Sequence, residues 1–119
     1  MDFIPTNQPF ENQYPKLVRD NIPQIIKDKT GTEPEVKILE NDEEFLKYLL
    51  KKLVEEAKEL EQSTEVGNTE EELADVLEII ETILKLKNWT MADIAKIQTE
   101  KRTNNGGFEK KILMLKKPQ

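Results

Sequence analysis

Residues 41–62 read NDEEFLKYLLKKLVEEAKELEQ, and residues 69–87 read TEEELADVLEIIETILKLK. Both runs carry apolar residues at the spacing of an amphipathic α-helix, which turns by about 100° per residue. On that projection Phe45, Leu46, Leu49, Leu50, Leu53, Ala57 and Leu60 share one arc of the first run. Leu73, Val76, Ile79, Ile80, Ile83, Leu84 and Leu86 share one arc of the second. Each arc contains an acid. Glu56 projects between Phe45 and Leu49, with Glu59 at the rim; Glu72 projects between Ile79 and Ile83, with Asp75 at the rim. Packing the two arcs together makes four carboxylates converge.

Converging carboxylates need a cation. Two unit charges about 5 Å apart repel by roughly 3 kcal/mol at an effective dielectric near 20. Such a cluster protonates, separates or binds a metal. The donors are all oxygen, which suits a hard ion, Mg²⁺ or Mn²⁺. The chain has no His and no Cys, so imidazole and thiolate ligands are excluded. Glu72 alone has a local explanation: with Thr69 as N-cap it occupies the N3 position of a capping box. That explanation does not extend to Glu56, in mid-helix, or to Asp75, one turn further on. Lys58 projects away from the cluster and reads as a solvated surface charge. Glu55 falls on the polar side of its helix.

The rest of the chain supports one small helical domain. Its 119 residues are enough to bury roughly two thirds of the unfolded surface. The net charge of −6 disfavours sequence-independent nucleic-acid binding. The first thirteen residues lack Lys, Arg and an apolar run, so no signal peptide is expected there. No run approaches the ~20 apolar residues of a membrane span. With no cysteine to form disulfides, a cytoplasmic protein is expected.

Residues 1–15 hold three prolines and little periodicity, which predicts an extended N-terminal arm before a single domain over 16–119. Asp20 is expected to cap a short helix from Asn21 to about Lys29, stopped by Gly31. Residues 35–39 alternate charge and aliphatic, predicting a strand. A loop is expected over 63–68. Thr90 and Asp93 form a box-like cap for a fourth helix running to about Thr103, with Trp89 as a hydrophobic staple beside it. After the Asn104-Asn105-Gly106-Gly107 stop, residues 108–116 read as a second strand. The expected fold class is all-α: a bundle of four helices with a minor two-stranded sheet.

The acid pattern Glu55-Glu56-x-x-Glu59, then Glu72-x-x-Asp75, resembles the EExxE…ExxD signature of the all-α nucleoside triphosphate pyrophosphohydrolases, a superfamily that includes the MazG-like enzymes. Lys16-Leu17-Val18-Arg19-Asp20-Asn21-Ile22-Pro23 is similar to the KLVRDxIP segment of a small house-cleaning branch, and Lys101-Arg102-x-x-Asn105-Gly106-Gly107-Phe108 to its KxxxRGGF segment. The matches run from Lys16 to Phe108.

The resemblance implies a MazG-like bundle and a Mg²⁺-dependent enzyme, with Mn²⁺ as a substitute. It would hydrolyse an NTP or dNTP to the monophosphate and pyrophosphate, clearing non-standard nucleotides. By resemblance Glu56, Glu59, Glu72 and Asp75 bind the metal, and Glu55 is an outer acid, a water-activating base or a ligand for a further ion. Glu55 and Glu56 are the candidate catalytic residues. Lys16, Arg19, Lys101 and Arg102 are the candidate phosphate contacts. The chain departs from the branch at Asn105, where the family has Arg. So few helices leave apolar surface uncovered, so a homodimer or homotetramer is expected. A phosphoribosyl-ATP pyrophosphohydrolase and a non-catalytic helical module that assembles subunits or binds a partner are the alternative readings.

Overall fold

A computed structural model describes residues 14–118 of the chain. Four helices follow one another: α1 (Ile22–Thr30), α2 (Asp42–Val66), α3 (Thr69–Leu86) and α4 (Met91–Asn105). The all-α class is as expected. The expected arm over 1–15 lies almost wholly outside the described residues.

The centre of the fold is the α2–α3 hairpin, the principal packed pair of helices among the described residues. Asn41 caps α2 by accepting from the Glu44 backbone N–H at 3.0 Å. Asp42, Glu43 and Glu44 place negative charge at the positive end of the helix dipole. The other end differs from expectation, for α2 runs through Ser63 to Val66 and only Gly67 and Asn68 join it to α3. Ser63 looks like a loop residue in sequence, yet it is 2% exposed. Its hydroxyl donates to the Leu60 carbonyl at 2.6 Å and lies 3.0 Å from the Thr69 hydroxyl, tying the last turn of α2 to the first residue of α3. Gly67 makes the turn at φ 86°, where a residue with a Cβ is strained, and its N–H closes onto the Ser63 carbonyl.

Two expected caps are corrected. Asn21, not Asp20, is the N-cap of α1, and it makes no side-chain cap hydrogen bond. Asn68, not Thr69, is the N-cap of α3. Glu72 therefore closes no capping box; instead the Asn68 side-chain amide donates to Glu72 Oε1 at 3.2 Å. The capping box of α4 forms as expected: the Thr90 N–H donates to Asp93 Oδ2 at 2.8 Å and the Asp93 N–H to Thr90 Oγ1 at 3.1 Å.

The minor two-stranded sheet is not seen, and no strand occurs among the described residues. Alternation marks a face for burial but does not supply a partner, and two short segments hold as a sheet only when packed on something. The second segment also opens on a turn, with the Lys111 N–H donating to the Phe108 carbonyl and Lys111 itself at φ 58°.

Among the described residues, the buried ones all lie on the hairpin. Tyr48 and Leu49 of α2 and Ile79 and Leu84 of α3 are the buried apolar residues, while α1 and α4 contribute no buried residue. The radius of gyration is 18.1 Å, against about 13 Å for a compact domain of this length. Phe108 is 97% and Leu115 84% exposed. Leu46, Leu50 and Val54 lie along one face of α2, with Leu50 and Val54 about half exposed. No described helix is long and apolar enough to cross a membrane.

Candidate metal centre

The hairpin turn sets the height at which acids on the two helices meet. Glu59 lies one turn before Ser63 and Glu72 about one turn after Thr69, so the tied ends bring them level; Glu56 is a turn further along. Carboxylate oxygens of Glu56, Glu59 and Glu72 lie within 4.8 Å of one another. Glu56 is 7% exposed and Glu55 5%. Glu59 and Glu72 are half-buried.

The electrostatics of the trio are those of mutually repelling, partly buried carboxylates. Glu56 Oε2 and Glu72 Oε2 are both buried, and no amide, hydroxyl or ammonium donor reaches them. Leaving a buried acceptor unpaired costs about 1–3 kcal/mol, more for a charged one. Burial pushes the Glu59 carboxyl up to about 8, reinforced by hydrogen bonding with Glu56 and by the charges of Glu56, Glu72 and Glu55. Burial also raises Glu56; its hydrogen bond with Glu59 and the Lys52 charge oppose the rise, and Asp75 and Glu55 add to it. The donor set is oxygen throughout and two of its oxygens are orphaned, so these residues fit a hard divalent cation.

Asp75 stands apart from the trio. Its Oδ1 accepts from Arg19 Nη2 at 2.7 Å, although its charge is near enough to act on Glu56. One candidate phosphate contact thus holds one candidate metal ligand. Lys16 lies with its ammonium 5.0 Å from the centre of the Tyr14 ring. Lys101 and Arg102 are exposed on α4, and Arg102 pairs with Glu109 rather than with the acid cluster. That pairing holds the Glu109 carboxyl below its usual range. Asn105 is the last residue of α4 and is exposed.

Two residues at the site escape the pattern reading. Lys52 Nζ lies 2.5 Å from Glu55 Oε2 and 3.5 Å from Glu56 Oε1. Burial alone would lower its pKa, but the hydrogen bonds and charges of Glu55 and Glu56 outweigh it, and Lys52 is held protonated above its usual range. Its signal was present in the sequence, since it precedes the two acids by three and four residues, the spacings at which helical side chains meet. Asn68, which orients Glu72, had no such signal, because the true start of α3 is not readable from the run Gly67-Asn68-Thr69. Lys58 is as expected: it pairs on the surface with Glu61 at 3.5 Å.

Comparison of the chain with protein-family models, with curated proteins and with solved structures finds no match.

Proposed function

We propose that this chain is a divalent-cation-dependent nucleoside triphosphate pyrophosphohydrolase of MazG-like type, which converts NTP or dNTP to the monophosphate and pyrophosphate and clears non-standard nucleotides. The observation that carries the reading is the pair of buried, donor-less oxygens, Glu56 Oε2 and Glu72 Oε2, within a trio of carboxylates drawn from two helices. A surface acid patch would not strand two oxygens away from water. The segment resemblances at Lys16–Pro23 and Lys101–Phe108 add the phosphate chemistry.

Glu56, Glu59 and Glu72 would hold the ion, Mg²⁺ or Mn²⁺, with Asp75 as the fourth carboxylate once Arg19 leaves it. Bound there, a divalent cation would offset the charge of triphosphate and acids together and lower the pKa of the attacking water. The remaining work falls to the chain. Arg19 has a guanidinium suited to gripping a phosphate through two N–H groups, and Lys16, Lys101 and Arg102 add further cations for the leaving pyrophosphate. Hydrolysis breaks the bond between the bridging oxygen and the α-phosphorus while water oxygen bonds to that phosphorus. The water proton passes to a carboxylate, for which Glu55 and Glu56 are the candidates.

A homodimer or homotetramer accompanies this reading. It is supported by the open shape and by the exposure of Leu50 and Val54 on α2 and of Phe108 and Leu115. Large apolar surfaces of this kind mark contact sites. The test is pyrophosphate release across ordinary, deoxy and damaged NTPs with Mg²⁺ and with Mn²⁺. Metal-dependent turnover that Glu56→Gln abolishes without unfolding supports the enzyme. Absence of turnover in every oligomeric fraction overturns it.

A further inference from the structure

We propose that Lys52 is a built-in counter-cation that limits the acid centre to one divalent ion per chain. The inference rests on the metal reading above and deepens it. The motif offers a fifth acid, Glu55, which by position could ligate a second ion beside Glu56. The structure fills that place differently. The Lys52 ammonium bridges Glu55 Oε2 at 2.5 Å and Glu56 Oε1 at 3.5 Å, the contact a second cation would make. It comes from one turn earlier on the same helix, so it arrives with the fold and needs no binding step. Its side chain is mostly buried, as is that of Glu55, so the pair is little screened by solvent.

The distribution of partners points the same way. Glu56 divides its oxygens: Oε1 faces Lys52, and Oε2 is the buried orphan left for the metal. Glu72 divides likewise, with Oε1 accepting from Asn68 and Oε2 orphaned. Two of the three buried atoms without a partner therefore belong to the trio and the third, Asn68 Oδ1, is on the residue that holds Glu72, while Glu55 has none and is paired with Lys52. A second divalent ion between Glu55 and Glu56 would have to displace an ammonium whose carboxylate partners among the described residues are Glu55 and Glu56. It would also lie beside the first ion, at the roughly 4 Å spacing of two-metal sites.

The experiment counts Mn²⁺ bound to the full-length chain by calorimetric titration and by electron paramagnetic resonance. One ion per chain is expected for the wild type. Lys52→Met, which keeps the length of the side chain and removes its charge, should bind two, with the spectral broadening of a coupled Mn²⁺ pair. Lys52→Arg should return the count to one, as should the double variant Lys52→Met with Glu55→Gln. Two ions in the wild type, or one in a folded Lys52→Met protein, overturns the role of Lys52 and leaves the metal reading standing. No ion in the wild type overturns both. Where Lys52→Met fails to fold, Lys52→Gln carries the same expectation of two ions, and one ion in folded Lys52→Gln overturns the role.

Discussion

Glu59 on α2 and Glu72 on α3 face each other across the hairpin with carboxylate oxygens no more than 4.8 Å apart, and the charge of Glu72 helps to raise the pKa of Glu59. The pairing exists because Ser63 and Thr69 tie the helices together close by. The acid centre is thus part of the same packing that forms the core, and its charge state feeds back on the stability of the fold.

That feedback has a sign. The Glu59 pKa is about 8 in the fold and near 4.5 in the unfolded chain. The folded state therefore binds the proton more tightly, and stability falls as pH rises through that window. Glu56 is shifted the same way. Lys52 is raised too, but its contribution is complete below its unfolded pKa of about 10.5 and does not vary here. Metal-free protein should show a melting temperature that declines from pH 5 to pH 8.5, and Mg²⁺ should restore more stability at the upper end than at the lower. A flat or rising profile without metal counts against the geometry of the trio.

Glu56→Gln removes one charge from the cluster and keeps its shape. The metal-free variant should melt no lower than wild type at pH 8, because repulsion is relieved. Its Mn²⁺ affinity should drop by at least roughly 10-fold, the lower end of what even outer-shell changes cost. Undiminished Mn²⁺ binding would place the ion elsewhere.

Arg19→Ala breaks a partly exposed ion pair with Asp75, and such pairs contribute about 0–1 kcal/mol. Chemical denaturation should therefore change little. The loss should appear in turnover as a raised KM for triphosphate, and Arg19→Lys should recover only part of it, lacking the planar fork. A variant with unaltered kinetics would remove Arg19 from the phosphate site.

Asn105 stands where the resembled branch carries Arg, and it is exposed at the end of α4. Asn105→Arg should raise kcat/KM by adding a guanidinium, with the melting temperature nearly unchanged. Equal activity in the two proteins would show that this position contacts no substrate.

Gly67→Ala tests the turn. The residue sits at φ 86° with open space where a Cβ would go, so the cost is backbone strain and not a clash. A loss of about 1 kcal/mol in urea unfolding is expected, with metal affinity falling in parallel because the helix ends set the height of the acids. No loss of stability would argue against the left-handed turn.

Amphipathic periodicity read from single runs was enough to place α2 and α3, to choose Glu56 and Glu72 as the acids inside the apolar arcs, and to find the Thr90–Asp93 box, because each depends on residues within a few positions of one another. Boundaries were less legible. Ser63 carries the same side chain in a loop as in a buried tie between helices, and only its contacts distinguish the two. Residues 35–39 and 108–116 have the alternation of strands, but strand pairing depends on a remote partner that no local pattern names.

What the chain alone determined, then, is that acids lie within two apolar stripes and that any ion held there must accept oxygen donors, since helical periodicity and side-chain chemistry are local properties. Only the tertiary structure decided that Glu56, Glu59 and Glu72 share one point, that Asp75 is drawn to Arg19, and that Lys52 answers Glu55. Those outcomes depend on how far α2 runs before Gly67 turns it and on a hydroxyl contact between Ser63 and Thr69 that forms only when the helices meet.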